Sequence, residues 1–208
     1  MTKEEFEIEL KKTKSDEDRR TFIRKFYIHG TPVVFEEDEE KYFDFRNRIA
    51  NKFEINFQEI FIVGSSKLGF SPIKNTTFSL ESDIDVVIVN PKHFDFYHKE
   101  ICEYQYQLDR YRKTITVGED EQYRNFLKYF IKGWIRPDLI PSSFEIEVLR
   151  TKWFDYFKSL SNGKTEVGNY KVSAGLFKDY DFFENYHLKT INKLYEKITL
   201  ENGEANTK

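Results

Sequence analysis

Asp83 and Asp85, separated only by Ile84, and the Gly64-Ser65 step that precedes them are the groups in this chain best suited to chemistry. If Ser82-Asp-Ile-Asp-Val-Val-Ile-Val89 runs as a β-strand, alternate side chains share a face. The two carboxylates then point the same way and can jointly hold divalent cations through hard oxygen ligands. Like charges at the head of a buried strand repel one another and carry a desolvation cost unless a cation neutralises them. Gly64 closes the apolar run Ile60-Phe-Ile-Val63 and lets a ligand approach the backbone, while Ser65 offers a hydroxyl and N–H groups suited to phosphate oxygens. A Gly-Ser after a strand is also an ordinary turn, and Asp-x-Asp recurs by chance. Their conjunction, in this order and each on a strand, is what points to a metal-associated phosphate ligand.

The surrounding elements have to position these groups. Val86 to Val89 is apolar on both faces and β-branched, as expected of a central strand covered on both sides. Before it, Lys3–Lys14 reads as a short helix, Ser15 with Asp18 as a helix start, and Arg19–His29 as a helix ended by Gly30. Glu39–Phe53 places Tyr42, Phe45, Ile49 and Phe53 on one helical face that packs on the sheet. Lys67 to Glu81 forms a loop bordering the site, with Gly69, Ser71, Pro72, Asn75 and Ser79 as turn formers. Beyond the carboxylates the spacing predicts helices over about His93–Arg112, Glu119–Ile135 (burying Tyr123, Phe126, Phe130 and Trp134), Phe144–Leu160 around Trp153, and Asp181–Ile198 with Tyr186, Ile191 and Leu194 inward. Tyr170–Phe177 is the strand placed to complete a small sheet, with Val172, Ala174 and Leu176 on one face and Lys171, Ser173 and Gly175 on the other. The fold class is therefore α/β or α+β: one domain over 1–208, a small mixed sheet with surrounding helices, an N-terminal helical extension over 1–38 and a polar tail over 201–208.

With these elements in place, Gly64-Ser65 followed by Asp83-x-Asp85 resembles the signature of the DNA polymerase β-like nucleotidyltransferase superfamily, over Phe61 to Val89. The resemblance implies transfer of a nucleoside monophosphate from a nucleoside triphosphate to a hydroxyl, with two Mg²⁺ (or Mn²⁺) ions. Gly64 and Ser65 would hold the β- and γ-phosphates, with Ser66, Lys67 and Ser82 completing the nucleotide-binding set, and Asp83 and Asp85 would bind both metals. The superfamily usually takes a third carboxylate from a later neighbouring strand. No acid lies within Tyr170–Phe177, so Glu166 before it and Asp179 after it are the candidates, with Glu145 or Glu147 if Ser143–Val148 is extended. Stand-alone bacterial relatives include second-messenger synthases, template-independent polymerases, and enzymes that modify RNA or protein, several in antiphage defence or toxin–antitoxin pairs. The expected product is a nucleotide oligomer or signal. The alternatives are modification of RNA or protein as a toxin, or a degenerate nucleotide-binding regulator; a partner protein, effector or antitoxin, is a possible companion.

Arg124, Lys128, Lys132 and Arg136, each four residues from the last on the expected 119–135 helix, make a basic stripe. It reads either as a solvated face or as a contact for triphosphate or a nucleic-acid backbone. With 33 Lys and Arg against 36 Asp and Glu the formal charge is −3, which excludes a strongly basic, histone-like binder. Cys102 is the single cysteine, so neither an internal disulfide nor a cysteine-based zinc site is available. It reads as a small hydrophobe on its helix. The four histidines lack zinc-ligand spacing and read as surface or capping residues. No apolar run reaches membrane-spanning length and the N-terminus lacks the parts of a secretory signal, so the expectation is a cytoplasmic protein with no membrane partner.

Overall fold

The computed structural model describes residues 1–144 and 151–205. The chain opens with α1 (Lys3–Lys11) and α2 (Asp16–Ile23), each started by a capping box, Thr2 with Glu5 and Ser15 with Asp18. α2 continues into a π-helical turn, Arg24–Ile28, before Gly30. α3 (Glu39–Phe53) follows, capped by Asp38 and closed by Glu54 in the left-handed region. Then come β1 (Ile60–Val63), a single helical turn α4 (Ser65–Leu68), and a small hairpin of β2 (Phe70–Ser71) and β3 (Thr76–Thr77). β4 (Ile84–Val89) leads to α5 (Pro91–Asp109), entered through Asn90 with Pro91 in its first turn. α6 (Val117–Phe130), β5 (Trp134–Ile135), α7 (Thr151–Ser159), β6 (Val172–Phe177) and α8 (Tyr180–Ala205) complete the described residues.

This is a mixed α/β architecture, with eight helices and a four-stranded mixed sheet in the order β1-β4-β6-β5 among the described residues. β1 runs antiparallel to β4, β6 parallel to β4, and β5 antiparallel to β6. β4 is thus interior, as its continuous apolar run predicts. One face, carrying Ile60, Ile62, Ile84, Val86, Ile88, Val172 and Leu176, packs in a core with Phe45 and Ile49 of α3 and Trp153 and Phe157 of α7. The other face, with Phe61, Val63, Val87, Val89 and Phe177, is covered by Phe183 of α8. Asp85 belongs to this second face by strand alternation.

Three expectations are corrected. The helix predicted over Glu119–Ile135 stops at Phe130, and Gly133 (φ +68°) turns the chain so that Trp134 and Ile135 pair with Phe177 and Leu176 of β6. A two-residue strand leaves no period to read, and both residues also fit the helical apolar spacing. The last helix does not yield to a polar tail at Glu201 but continues to Ala205. Within it Ile191 and Leu194 are buried, while Tyr186 is 39% exposed rather than inward. Cys102 is half-buried on α5. Among the described residues no helix is long and apolar enough to cross a membrane.

The N-terminal extension is seated on α8. Phe6, Leu10, Phe22 and Ile23 share a core with Leu188, Ile191, Leu194 and Ile198, and with Leu68 and Phe70 beside the Gly64-Ser65 turn. Arg24 adds a two-pronged contact to Glu184, at 2.7 and 2.9 Å. His187 is the exception to a surface reading of the histidines. It is buried against Tyr27 and Phe183, with ring centroids 4.8 and 5.0 Å apart, and its Nε2 has no hydrogen-bond partner. Burial pulls its pKa down to about 4. The unfolded chain therefore binds this proton more readily, and stability falls as pH drops from about 6.5 towards 4, by an amount on the order of 3 kcal/mol. His187→Leu is expected to flatten that acid limb in urea unfolding curves. An identical pH response in wild type and variant would remove the assignment.

Candidate functional site

The register of β1 on β4 brings the two sequence motifs together. Val63 is the partner of Asp85, so Gly64 leaves β1 directly beside that carboxylate. Gly64 has φ +71° and ψ −150°, a combination open in practice only to glycine. A Cβ built on it would lie 2.7 Å from Asp85 Oδ2, so the carboxylate occupies the space that any side chain at 64 would need. After Gly64 the chain enters α4, whose first amides have no intrahelical acceptor by helix geometry.

Asp83 immediately precedes β4, and Asp85 is its second residue. On the neighbouring β6, Ser173 stands in register with Asp85 and donates its hydroxyl to Oδ1 at 3.0 Å. Lys171 Nζ lies 3.1 Å from Asp83 Oδ2. Both carboxylates therefore meet the same face of β6, as alternation predicts. The protein packed around Asp85 raises its pKa above the ordinary carboxylate value. Asp83's charge adds to the rise, while the Ser173 hydrogen bond and the charges of Lys74 and Lys171 oppose it. Lys74 sits in the turn of the β2–β3 hairpin, so the loop expected to border the site does approach Asp85 electrostatically. The hairpin is tied down by Phe78 stacked on Tyr170, ring centroids 5.0 Å apart, and by Lys3 donating to Asn75 Oδ1.

No protein-family model, curated protein or solved structure matches this chain.

The other residues expected in a nucleotide set are placed differently. Ser65 is half-buried at the head of α4. Ser66 is fully buried and donates to the Val63 carbonyl at 3.0 Å, so its hydroxyl serves the turn. Ser82 accepts a hydrogen bond from Ser79 N–H at 3.1 Å and shapes the loop before Asp83. Lys67, 6% exposed, turns away towards the N-terminal extension and donates to the carbonyls of His29 and Gly30 at 2.6 and 2.5 Å. Burial, with Arg46's charge, pulls its pKa down to about 8. Lys67→Met would remove both charge-assisted hydrogen bonds to these carbonyls, each worth about 1.5–3 kcal/mol. The expected result is a lower unfolding midpoint with nucleotide affinity unchanged. Loss of affinity at full stability would instead place the ammonium on phosphate.

Neither candidate for a third acid joins the pair. Glu166 is engaged by the Arg48 guanidinium of α3, at 2.7 to 3.1 Å, among the helices that cover the opposite face of the sheet. Asp179 accepts from Phe182 N–H at 3.1 Å and caps α8. It lies beyond the far end of β6, about 20 Å along an extended chain from Ser173. Glu145 and Glu147 lie outside the described residues. Among those described, no group of three or more His, Cys, Asp and Glu side chains gathers as a metal cluster. The residues that do meet the acid pair, Lys171 and Ser173, share one face of the predicted strand. Their alternation was legible, but the register that brings that face onto Asp85 was not.

The basic stripe is also broken up. Arg124 and Lys128 remain on α6, Lys132 falls in the following turn, and Arg136 lies past β5. Arg124 is paired with Asp120 and Arg136 with Asp138, at 2.7 and 2.6 Å. Arg136 nevertheless folds back over the rings of Tyr129 and Trp134, 5.2 and 5.4 Å from their centroids.

Proposed function

We propose that this chain is a metal-dependent nucleotidyltransferase with a sheet of the polymerase β-like type. It moves a nucleoside monophosphate from a nucleoside triphosphate to a hydroxyl acceptor, making a nucleotide oligomer or signal. The observation that carries the reading is the meeting of Gly64 with Asp85: a side-chain-free turn lies against a carboxylate that shares its β6 face with a second one. A triphosphate on the Gly64-Ser65 turn would thereby sit beside the acids.

Asp83, Asp85 and the Ser173 hydroxyl are hard oxygen donors, which suits Mg²⁺ or Mn²⁺ shared with substrate phosphates and water. A cation is already drawn to Asp83 in the form of the Lys171 ammonium. When bound, the ions would supply neutralisation of charge on the α-phosphate and on the pyrophosphate leaving group. Gly64 keeps the turn open, Ser65 hydrogen-bonds phosphate oxygen, and Ser173 holds one Asp85 oxygen so that the other faces the ligand. Because the surroundings disfavour its charge, Asp85 gains from any cation placed beside it.

A second reading, a nucleotide-binding regulator without turnover, is favoured by one feature: β6 presents Lys171 and Ser173 where the superfamily resemblance implies a third carboxylate. One experiment separates the two. Purified protein is incubated with labelled ribo- and deoxyribonucleoside triphosphates and Mg²⁺ or Mn²⁺, and products are resolved by size with pyrophosphate release followed in parallel. Pyrophosphate with a larger labelled product supports transfer; saturable binding without pyrophosphate supports the regulator; neither binding nor release removes both.

A further inference from the structure

A cleft of about 570 Å³ opens between α6 and α8, with β5 between them. Lys128 and Lys132 stand on one wall, and Lys189 and Lys193, one helical turn apart on α8, on the other. The described lining includes no Asp or Glu, in a chain that holds 36 of them, and none of these four lysines has a carboxylate partner among the described residues. Unneutralised lysines facing one another across a gap repel unless an anion lies between them.

The cleft also carries ring faces. Trp134 stacks on Phe177, centroids 5.1 Å apart at 11°, and meets Tyr186 edge-on at 4.4 Å and Tyr129 at 5.2 Å. The Trp134 indole turns its N–H edge to Gly175, where an added Cβ would come within 2.5 Å of Nε1. Gly175 is two residues along β6 from Ser173, about 7 Å, and on the same face. The aromatic floor is therefore continuous with the strand face that holds Asp85.

We propose that this cleft binds single-stranded nucleic acid, phosphates on the four lysines and a base against the Trp134–Tyr186 surface. Three properties select that ligand. An acidic peptide matches the lysines but has no base to stack. A duplex matches the charge but hides its base faces, whereas an unpaired strand presents both. A free triphosphate needs the Gly64 turn and the acid pair, which lie beyond the cleft lining. The binding does not depend on transfer at Asp83 and Asp85; only the further role of the bound strand as acceptor rests on that reading.

The test is fluorescence anisotropy of the full chain with a labelled single-stranded oligonucleotide, the matching duplex and polyglutamate, across salt and without metal or triphosphate. Single strand is expected to bind tightest. With each neutralised phosphate contributing about −0.7, four contacts give a log–log salt slope of roughly −3. Lys189→Glu with Lys193→Glu should weaken binding at least about tenfold and flatten the slope by roughly half. Tyr186→Leu should weaken it about tenfold at unchanged slope, because a stacking partner is lost and no charge. Equal binding by the double variant, or duplex or polyglutamate bound as tightly as single strand, overturns the proposal. Crosslinking a thiouridine-containing strand to the unmodified protein gives a readout independent of variant folding: adducts at Tyr129, Trp134 or Tyr186 support the site, and adducts confined elsewhere overturn it. Asp83→Asn with Asp85→Asn must still bind the strand. A wild-type protein that binds it without ever extending it keeps the cleft and loses only the acceptor role.

Discussion

Asp85→Ala is expected to abolish the proposed transfer while leaving the protein folded. A carboxylate holding divalent ions at the reacting phosphate contributes several kcal/mol of transition-state stabilisation, which at about 1.4 kcal/mol per decade is a loss of roughly 10³-fold or more. Asp83→Ala is expected to follow in direction. The folded state has little to lose. Asp85 is disfavoured as an anion by the protein around it and by Asp83, and its direct partner is the Ser173 hydroxyl. Its folded pKa is raised, so the wild-type apo protein gains stability as pH falls through that titration, and the variant lacks the gain. The check is paired: product formation with Mg²⁺ or Mn²⁺, and urea unfolding of the metal-free protein. Wild-type turnover in both single variants would remove these acids from the chemistry. A strongly lowered unfolding midpoint would make them structural instead.

Gly64→Val is expected to lose nucleotide binding and stability together. The backbone at 64 lies in a region where a side chain costs about 1–3 kcal/mol, and valine's branched Cβ adds to that strain. The new Cβ would also meet Asp85 Oδ2 at 2.7 Å, so either the strand end or the carboxylate must move. Both halves of the site are disturbed at once, and an affinity loss of about a hundredfold or more is expected, equivalent to roughly 3 kcal/mol. Ser65→Ala removes one neutral hydrogen bond, worth about 0.5–1.5 kcal/mol, and should weaken binding only several-fold. Calorimetric titration of both variants with a nucleoside triphosphate decides. Undiminished affinity in Gly64→Val would place the phosphates elsewhere.

The parts of the site legible in the sequence are those fixed by short-range rules. Strand alternation alone put Asp83 and Asp85 on one face, and the glycine after Ile60–Val63 marked a turn that a ligand can approach closely, though its glycine-only backbone angles came from the structure. Ser15 with Asp18 placed a helix start, and the apolar spacing of Tyr42, Phe45 and Ile49 placed the sheet-facing side of α3, because capping and amphipathicity act within a turn or two. What only the tertiary structure decided is which distant residues meet these groups. Ser173 and Lys171, rather than Glu166 or Asp179, face the acid pair because of the register of β6 on β4, which no local pattern encodes. Trp134 and Ile135 left the helix their spacing suggested because pairing with β6 and the turn at Gly133 outweighed a weak helical preference. Lys67, expected on the nucleotide, and His187, expected at the surface or at a helix cap, are buried because the N-terminal extension packs over them, a contact between segments more than thirty residues apart for Lys67. The identity of each group was written in the chain; its neighbours, and hence its charge state and reach, came from long-range burial and strand register.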